Sequence, residues 1–586
     1  MTRSNKGEIN LNWAREAVNI LAHSGVRHSC LSPGSRNTPL TLAFIEHPLF
    51  KCTSHFDERS AGYFALGFAS ASGFPAVLCC TSGTAAANYF PAIVEANYGK
   101  IPLIVITADR PEKLVGTGAN QTIHQQDLFG EHVRFFRHVG EPDLRTLDLN
   151  QFIVSAISMA IGINSKGEYI NPPGPVHLNF PFDEPLHPVL QSDVKPAIFD
   201  PPKLTLPSVI YSDILPDIDL LSKCKRPLIV CGRLQESSQR DEIFRLSDHI
   251  NSPVFADISS QLRFGNDRLN LICHYDLFLK YQSITPDLVI RFGAKPTSKI
   301  LSKKLDEWKD YTILVDPAGR FNDDCPKVIP CRISTFTNFL IEHTKRTNSE
   351  KRWLETVRGL EVKTQNIVKE FLSKTPLFEG SIAATVQQNL KNGDRLFLGN
   401  SMPIRDADMF CGCFEKDVRV CVNRGASGID GCTSTAAGIA YADFGNGKST
   451  NTNPANVDPM RRVFLITGDL SFLYDLNALF TSQKYRLNLT VIVINNGGGG
   501  IFSLLPIANY NSDQFDEFWT VPHQLSIRKI AEVYNCEYFS ANSIEKIGNS
   551  IASTRKCSGP AIIEIQIDQD HNVNCHARLR GAIRTT

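Results

Sequence analysis

The chain has 586 residues, 42% of them hydrophobic and 21% charged, with a formal net charge of +1. That length exceeds one ordinary hydrophobic core and points to about three or four domains, and the balanced charge argues against a nucleic-acid binder. Polar residues 1–10, the lack of any apolar run of membrane-spanning length, and 16 scattered cysteines without a CxxC point away from a secreted or membrane protein, a zinc site or a redox dithiol, and toward a cytoplasmic enzyme with buried free thiols.

In chain order, Leu11, Trp13, Ala14, Ala17, Val18 and Leu21 are spaced like one face of an amphipathic helix. Residues 26–31 read as a strand entering the turn Ser32-Pro33-Gly34-Ser35-Arg36. Residues 76–80 form a second strand, running into Ser82-Gly83-Thr84 and a helix from Ala85. Residues 103–107 form a third, ending in Ala108-Asp109-Arg110-Pro111. A strand at 176–180 closes a first block, 1–190, and the proline-rich stretch 181–207 reads as a linker.

A second block, 208–345, repeats the pattern with strands at 227–231, 288–292 and 312–315, each followed by a turn. After a charged helix over 349–374 comes a third block, 375–586, with strands at 396–398, 418–422, 463–467, 489–494 and 561–565. Residues 445–459 are expected to be an exposed loop insertion. Strand, glycine-rich turn, helix, strand is the grammar of a parallel sheet, so the expected fold is α/β with three doubly wound parallel-sheet domains. Ligands then sit beyond the carboxyl ends of strands.

Chemistry concentrates in the third block. Gly468-Asp469-Leu470-Ser471 follows one apolar strand, and Asn495-Asn496-Gly497-Gly498-Gly499-Gly500 follows the next. A carboxylate at a strand end, an amide oxygen from Asn496, and a backbone carbonyl that glycine brings close (Gly498) make a hard-oxygen set suited to Mg²⁺ or Mn²⁺. A helix starting near Ser471 would aim its N–H groups at phosphates completing that shell.

The two turns together resemble the Gly-Asp-x…Asn-Asn motif of thiamine-diphosphate-dependent enzymes. Leu470 stands where many members carry glycine, and the menaquinone-pathway branch of these carboligases tolerates leucine there. Resemblance to that branch covers nearly the whole chain. It includes Ser32-Pro-Gly-Ser-Arg-Asn-Thr-Pro-Leu40, Asp57-Glu-Arg-Ser60, Thr81-Ser-Gly-Thr84, Thr107-Ala-Asp-Arg-Pro111 and Gly118-Ala-Asn-Gln121. It continues through Gly399-Asn-Ser-Met-Pro-Ile-Arg405, residues 423–431, residues 469–479 and Ile501-Phe-Ser-Leu-Leu-Pro506, and is weak in the middle block except at Lys299.

The resemblance implies a pyrimidine-binding domain (1–190), a middle domain (208–345) and a diphosphate-binding domain (375–586). It implies a transferase that decarboxylates 2-oxoglutarate on thiamine diphosphate and adds the four-carbon unit to isochorismate by conjugate 1,4-addition. The active site would lie between subunits of a homodimer or homotetramer. Several carboxylates are available to activate the cofactor at its aminopyrimidine; Glu58 is singled out because Glu-x-x-Ala/Gly before the helix at 63–70 resembles the family's acid. Asp469, Asn496 and Gly498 would hold the metal. Ser401 and Arg405 would contact the 2-oxoglutarate-derived part; Ser35, Arg36, Arg110, Asn120, Gln121 and Lys299 would face isochorismate. Arg424 and Ile429 would flank the cofactor, with Ile501, Phe502 and Leu505 packed on it as a low-polarity wall. Glu58, Arg405 and Arg424 would be the catalytic side chains. Arginine suits two polyanionic substrates because its planar guanidinium grips carboxylates bidentately.

Some of these residues have plainer readings. Ser35 is also a candidate helix cap, Asp57 and Arg59 read as structural, and His55 reads as a packed histidine rather than a base. The alternative activity is a carboligase of the acetohydroxyacid synthase type. Such an enzyme often carries FAD in its middle domain, and the middle block here has no Gly-x-Gly-x-x-Gly.

Overall fold

The computed structural model describes residues 3–142, 148–188, 224–234, 239–344, 351–444, 461–510 and 512–585. The expected insertion at 445–459 and most of the expected linker at 181–207 lie outside the described residues.

Three six-stranded sheets follow one another along the chain, and every strand pair in them is parallel. The first contains β1 (His28–Leu31), β2 (Lys51–Ser54), β3 (Ala76–Cys80), β4 (Leu103–Asp109), β5 (Phe136–His138) and β6 (Pro175–Pro181), in the order β2-β1-β3-β4-β6-β5. The second contains β7 (Pro227–Cys231), β8 (Val254–Ala256), β9 (Leu271–Ile272), β10 (Leu288–Phe292), β11 (Thr312–Val315) and β12 (Lys327–Ile329), in the order β12-β11-β10-β7-β8-β9. The third contains β13 (Arg395–Leu398), β14 (Arg419–Val422), β15 (Val463–Gly468), β16 (Leu489–Asn495), β17 (Glu537–Ser540) and β18 (Ala561–Gln566), in the order β14-β13-β15-β16-β18-β17.

The reason for this arrangement is visible in β7, Pro-Leu-Ile-Val-Cys, which is buried along its whole length. Ile229 and Cys231 enter one hydrophobic cluster, and Leu228 and Val230 enter another. A strand apolar on both faces needs cover on both, which is the condition for a parallel sheet flanked by helices. Each sheet has a central switch in its direction of travel, between β1 and β3, β7 and β10, and β13 and β15, and the first and third sheets turn back once more at an edge, where β6 lies inside β5 and β18 inside β17. The central switches open crevices at the strands' carboxyl ends.

The described residues belong to two compact units. One comprises residues 1–210, 423–455 and 475–485; the other comprises 211–422, 456–474 and 486–586. The first sheet lies in the first unit, and the other two lie in the second. Within the first unit, helix Cys432–Phe444 packs on helix Glu58–Ser72 through glycines. A Cβ on Gly67 would fall 2.0 Å from the Thr435 carbonyl oxygen, and one on Gly438 would fall 2.0 Å from that of Phe64. Among the described residues no helix is long and apolar enough to cross a membrane.

Candidate active site

In the first unit, Arg36, Arg110, Asn120 and Gln121 gather beyond the carboxyl ends of the sheet. The buried Arg36 guanidinium donates to the Phe182 carbonyl at 2.9 Å and to Glu184 Oε1 at 3.0 Å. Arg110 donates through Nε and Nη2 to the Asn120 carbonyl at 3.3 and 3.2 Å. Burial, and then the like charge of Arg36, lower the Arg110 pKa. Gln121, at φ +56°, donates from Nε2 to the Ser82 carbonyl, and Ser82 Oγ donates back to the Gln121 carbonyl, both at 2.9 Å. Two neighbouring guanidiniums on a fixed backbone make an anion-reading corner. Ser35 is exposed beside it and caps nothing: helix Thr38–Glu46 starts after Asn37 with no side-chain cap.

Glu58 is the first residue of helix Glu58–Ser72. Asp57 caps that helix, accepting from the Arg59 and Ser60 amides at 2.9 and 3.3 Å, and accepts from Asn477 Nδ2 at 2.7 Å. Burial raises the Glu58 carboxyl above its ordinary range, against the opposing pull of its own backbone hydrogen bond. A carboxyl held nearer its neutral form is suited to carrying a proton. His55, just past β2, is neutral. Burial, and then the Lys484 charge, push it down to about 3, and its Nε2 lies 2.9 Å from Thr53 Oγ1.

The turn carrying Arg424 is held by a residue that the sequence reading missed. Glu95, from helix Phe90–Gly99, is 2% exposed. Its carboxylate accepts the amides of Gly425, Ala426 and Ser427 at 2.6, 2.7 and 3.1 Å. A Cβ on Gly425 would lie 2.4 Å from the Glu95 carbonyl oxygen, so only glycine fits there. The same segment presents Ile429, 40% exposed, and Asp430 accepts from Tyr63 at 2.7 Å.

In the second unit, β15 ends at Gly468 and the next helix runs Asp469–Tyr474. It therefore starts two residues earlier than the expected Ser471, with Asp469 as its first residue. Asp469 is buried, and its pKa is raised by that burial. Its Oδ1 accepts from Leu470 at 2.6 Å, and its Oδ2 accepts from Gly498 at 2.9 Å. The Gly498 amide also lies 3.4 Å from Asn496 Oδ1, so both side-chain oxygens converge on one peptide unit. Gly498 sits at φ +153°, and a Cβ there would meet the Thr520 carbonyl oxygen at 2.3 Å. A carboxylate and an amide oxygen meeting at one glycine offer hard-oxygen ligands that suit a divalent cation, while the Gly498 carbonyl accepts from the Gly500 amide at 3.0 Å.

Two further side chains complete this corner without having been legible in the sequence. His523 Nε2 is 3.3 Å from Asp469 Oδ2. Asn496 Nδ2 donates to Glu379 Oε1 at 2.9 Å, which turns the amide oxygen toward Gly498. Glu379 is buried, and burial followed by the neighbouring Asp406 carboxylate raises its pKa. Asp406 in turn pairs with His576 at 2.7 Å.

The same unit contains a cavity of about 870 Å³ whose wall includes Lys299, Arg405, Ile501, Leu505 and Arg580. Lys280 and Lys303 add cations, whereas two of its carboxylates are already engaged: Asp276 accepts from Ser298, and Asp408 pairs with Arg263 at 2.5 Å. Lys299 opens a helix capped by Ser298 Oγ, which accepts from the Leu301 amide at 3.0 Å. Arg405 lies on helix Met402–Phe410 and donates to the Ser401 carbonyl. Ser401 holds φ +73° and ψ −128°, a conformation that side chains rarely adopt. Ile501 and Phe502 lie in the 3₁₀ helix Gly500–Leu504; Phe502 packs back on Gly499, where a Cβ would meet its ring at 3.0 Å. Lys299, Arg405, Ile501 and Leu505 are thus brought together, as are Asp469, Asn496 and Gly498.

Comparison with known proteins covers most of the chain. Residues 12–128 match the thiamine pyrophosphate enzyme N-terminal TPP binding domain, 216–398 match the middle domain of thiamine pyrophosphate enzymes, and 424–565 match the C-terminal TPP binding domain. A curated relative from Listeria innocua is 36% identical, with 99% of each chain covered. One from Chlorobium phaeobacteroides is 37% identical, again over 99% of each. One from Haloarcula marismortui is 36% identical, over 96% of this chain and 95% of its own. All three are named 2-succinyl-5-enolpyruvyl-6-hydroxy-3-cyclohexene-1-carboxylate synthase. With identity of that order over nearly the whole length, the chain belongs to the 2-succinyl-5-enolpyruvyl-6-hydroxy-3-cyclohexene-1-carboxylate synthase family of thiamine-diphosphate-dependent enzymes.

Proposed function

We propose that this protein catalyses the family reaction in menaquinone biosynthesis. It decarboxylates 2-oxoglutarate and adds the succinyl unit to isochorismate, giving 2-succinyl-5-enolpyruvyl-6-hydroxy-3-cyclohexene-1-carboxylate and CO₂. The observation that carries this reading is the pairing, within one unit, of a hard-oxygen corner with a cation-rich cavity. The first suits a diphosphate-bound Mg²⁺ or Mn²⁺, and the second suits a dicarboxylate. When bound, thiamine diphosphate supplies the electron sink for loss of CO₂ and the nucleophilic carbon for the addition.

The protein's own residues bind, orient and move protons. Asp469, Asn496 and the Gly498 carbonyl hold the metal, with Glu379 fixing the asparagine amide. Glu58 exchanges a proton with the aminopyrimidine N1′. Arg405, with Ser401, holds the distal carboxylate of 2-oxoglutarate. Arg36, Arg110, Asn120, Gln121, Ser35 and Lys299 receive isochorismate, Arg36 with one face already engaged by Glu184. Arg424 and Ile429 flank the cofactor, and Ile501, Phe502 and Leu505 exclude water. We further assign a pyrimidine-binding domain at 1–190, a middle domain at 208–345 and a diphosphate-binding domain at 375–586, in a cytoplasmic homodimer or homotetramer.

The test supplies purified protein with thiamine diphosphate, Mg²⁺, 2-oxoglutarate and isochorismate, and follows CO₂ and the adduct mass. Consumption of pyruvate to an acetohydroxyacid, with 2-oxoglutarate untouched, would replace this reading with the acetohydroxyacid synthase type. The assignment of roles is tested separately. Truncating either Arg405 or Arg110 to Ala should cost about 2–5 kcal/mol if its ion pair is desolvated. Arg405→Ala should impair the half-reaction with 2-oxoglutarate alone, whereas Arg110→Ala should spare it and raise the isochorismate requirement.

A further inference from the structure

Among the 16 cysteines, Cys413 alone is exposed. Its Sγ lies 3.6 Å from that of Cys273, although 140 positions separate them in sequence. Both backbones are pinned. Cys273, just past β9, donates its amide to Glu361 Oε1 at 3.1 Å; His274 donates its amide to Oε2 at 3.0 Å and places its Nδ1 2.7 Å from Oε1. On the other side, the Gly412 carbonyl accepts from Gln387 at 2.9 Å, and the Cys411 carbonyl accepts from the buried Arg263 at 2.8 Å. The two thiols therefore meet on rigid supports, one before helix Tyr275–Phe278 and one after helix Met402–Phe410. Residues of both helices, Asp276 and Arg405 among them, form the cavity wall.

Against the expectation from the missing CxxC, which cannot see thiols brought together from distant positions, we propose that Cys273 and Cys413 are a redox-active dithiol that closes to a disulfide on exposure to a peroxide, strapping together two walls of the cation-rich cavity. A disulfide needs the sulfurs at about 2.05 Å, so closure requires a shift of the side chains. The exposed sulfur reacts first. The thiolate of Cys413 attacks one peroxide oxygen and breaks the O–O bond, giving a sulfenic acid and releasing the other oxygen as water after protonation. The Cys273 sulfur then attacks the sulfenic sulfur and displaces a second water. Two thiols lose two electrons and two protons, and hydrogen peroxide gains both to become two waters. Electrostatics agree with this order: the thiol contact with Cys273 and the Arg263 charge lower the Cys413 thiol against burial and the Glu361 charge, while Cys273 itself is raised.

The experiment treats the full-length protein with an equivalent of hydrogen peroxide, alkylates it under denaturing conditions and maps tryptic peptides. The expected result is a cross-link between peptides 269–280 and 406–416, two fewer alkylatable thiols, and full reversal by dithiothreitol. Peptide 406–416 also contains the buried Cys411, so fragmentation must place the link on Cys413. Hydrogen exchange in residues 271–278 and 411–414 should slow on oxidation and recover on reduction. Cys413→Ser, an exposed position that should not disturb folding, should abolish the link and leave Cys273 alkylatable. The proposal is overturned if Cys413 proceeds to sulfinic acid while Cys273 stays a free thiol, or if the link forms through Cys411.

Discussion

In the first compact unit, His28, His55 and His177 are enclosed beside the sheet, and burial pushes each of them down to about 3. The second unit encloses charge with countercharge: Arg263 with Asp408 at 2.5 Å, Arg555 with Asp394 at 2.6 Å, Arg291 with Asp323 at 2.8 Å. Neutral histidines become costly when a proton arrives, whereas buried ion pairs become costly when one partner goes. Asp469 breaks the second unit's habit. It is a buried carboxylate that no lysine or arginine pairs among the described residues, with only His523 close by at 3.3 Å. Glu379, buried in the same corner, is likewise held by an amide donor, Asn496, rather than by a lysine or arginine, so acidic groups gather there with room for a cation from outside.

The largest effect expected from this contrast is at that residue. Asp469→Ala should weaken binding of thiamine diphosphate with Mg²⁺ by more than about 100-fold, beyond what loss of an outer-shell partner brings. The apo protein should lose at most a few degrees of thermal midpoint, because two hydrogen bonds, from the Leu470 and Gly498 amides, are lost but no countercharge is orphaned. Calorimetric titration reads the first and a melting curve the second; undiminished cofactor binding would remove Asp469 from the metal site.

Next in size is the loss of a true pair. Asp408→Ala leaves the Arg263 guanidinium buried and uncompensated and should cost about 3–5 kcal/mol in urea unfolding. The double variant Arg263→Met with Asp408→Leu should recover much of that. If the single variant cost less than about 1 kcal/mol, no more than an exposed pair, the two units would not differ as described.

Acid should separate the units further. The folded pKa values of the three histidines, about 3, lie below the unfolded value of about 6.5. Between those limits the unfolded chain binds more protons. Their stabilising contribution is therefore complete above pH 6.5 and is lost as pH falls, by about 1.4 kcal/mol per histidine per pH unit. Hydrogen-exchange protection of β1, β2 and β6 should weaken between pH 6.5 and 5 before that of β7, β10, β13 and β15. Simultaneous loss in both units would contradict the contrast.

The smallest effect concerns strain rather than charge. Ser401 holds φ +73° without a side-chain cap bond. Ser401→Gly should raise stability by about 1 kcal/mol, glycine's freedom in the unfolded chain offsetting part of the relieved strain. It should also slow turnover. A stabilised variant of full activity would mean that the conformation is not used by the site.

What was legible in the sequence follows burial. Strands such as Pro227–Cys231, Leu288–Phe292 and Thr312–Val315 are buried along their whole length and mostly apolar, and their bounds match those read from the sequence. The unread ones, Lys51–Ser54, Phe136–His138, Leu271–Ile272, Lys327–Ile329 and Glu537–Ser540, all stand at sheet edges, where a strand is short and need not be apolar. Val254–Ala256, inside the middle sheet, was missed because three residues carry no periodicity. The metal corner was legible because its donors fall on consecutive strand ends. Glu95 and Glu379 were not, because a glutamate in a helix reads as a solvated residue, and their partners lie 330 and 117 positions away.

The glycine seam between helices Glu58–Ser72 and Cys432–Phe444 sets a timetable for synthesis. The first helix leaves the ribosome early, with Gly67 ready to receive a backbone from a segment not yet translated. At about 5–20 residues per second, on the order of ten to fifty seconds pass between the end of β6 and residue 423. For that interval the first sheet is assembled while one of its helices lacks its cover, and Glu95 lacks the three amides that will occupy its carboxylate. The nascent chain is therefore most exposed to wrong partners while its middle sheet is being made, and a chaperone that holds the N-terminal unit should act then.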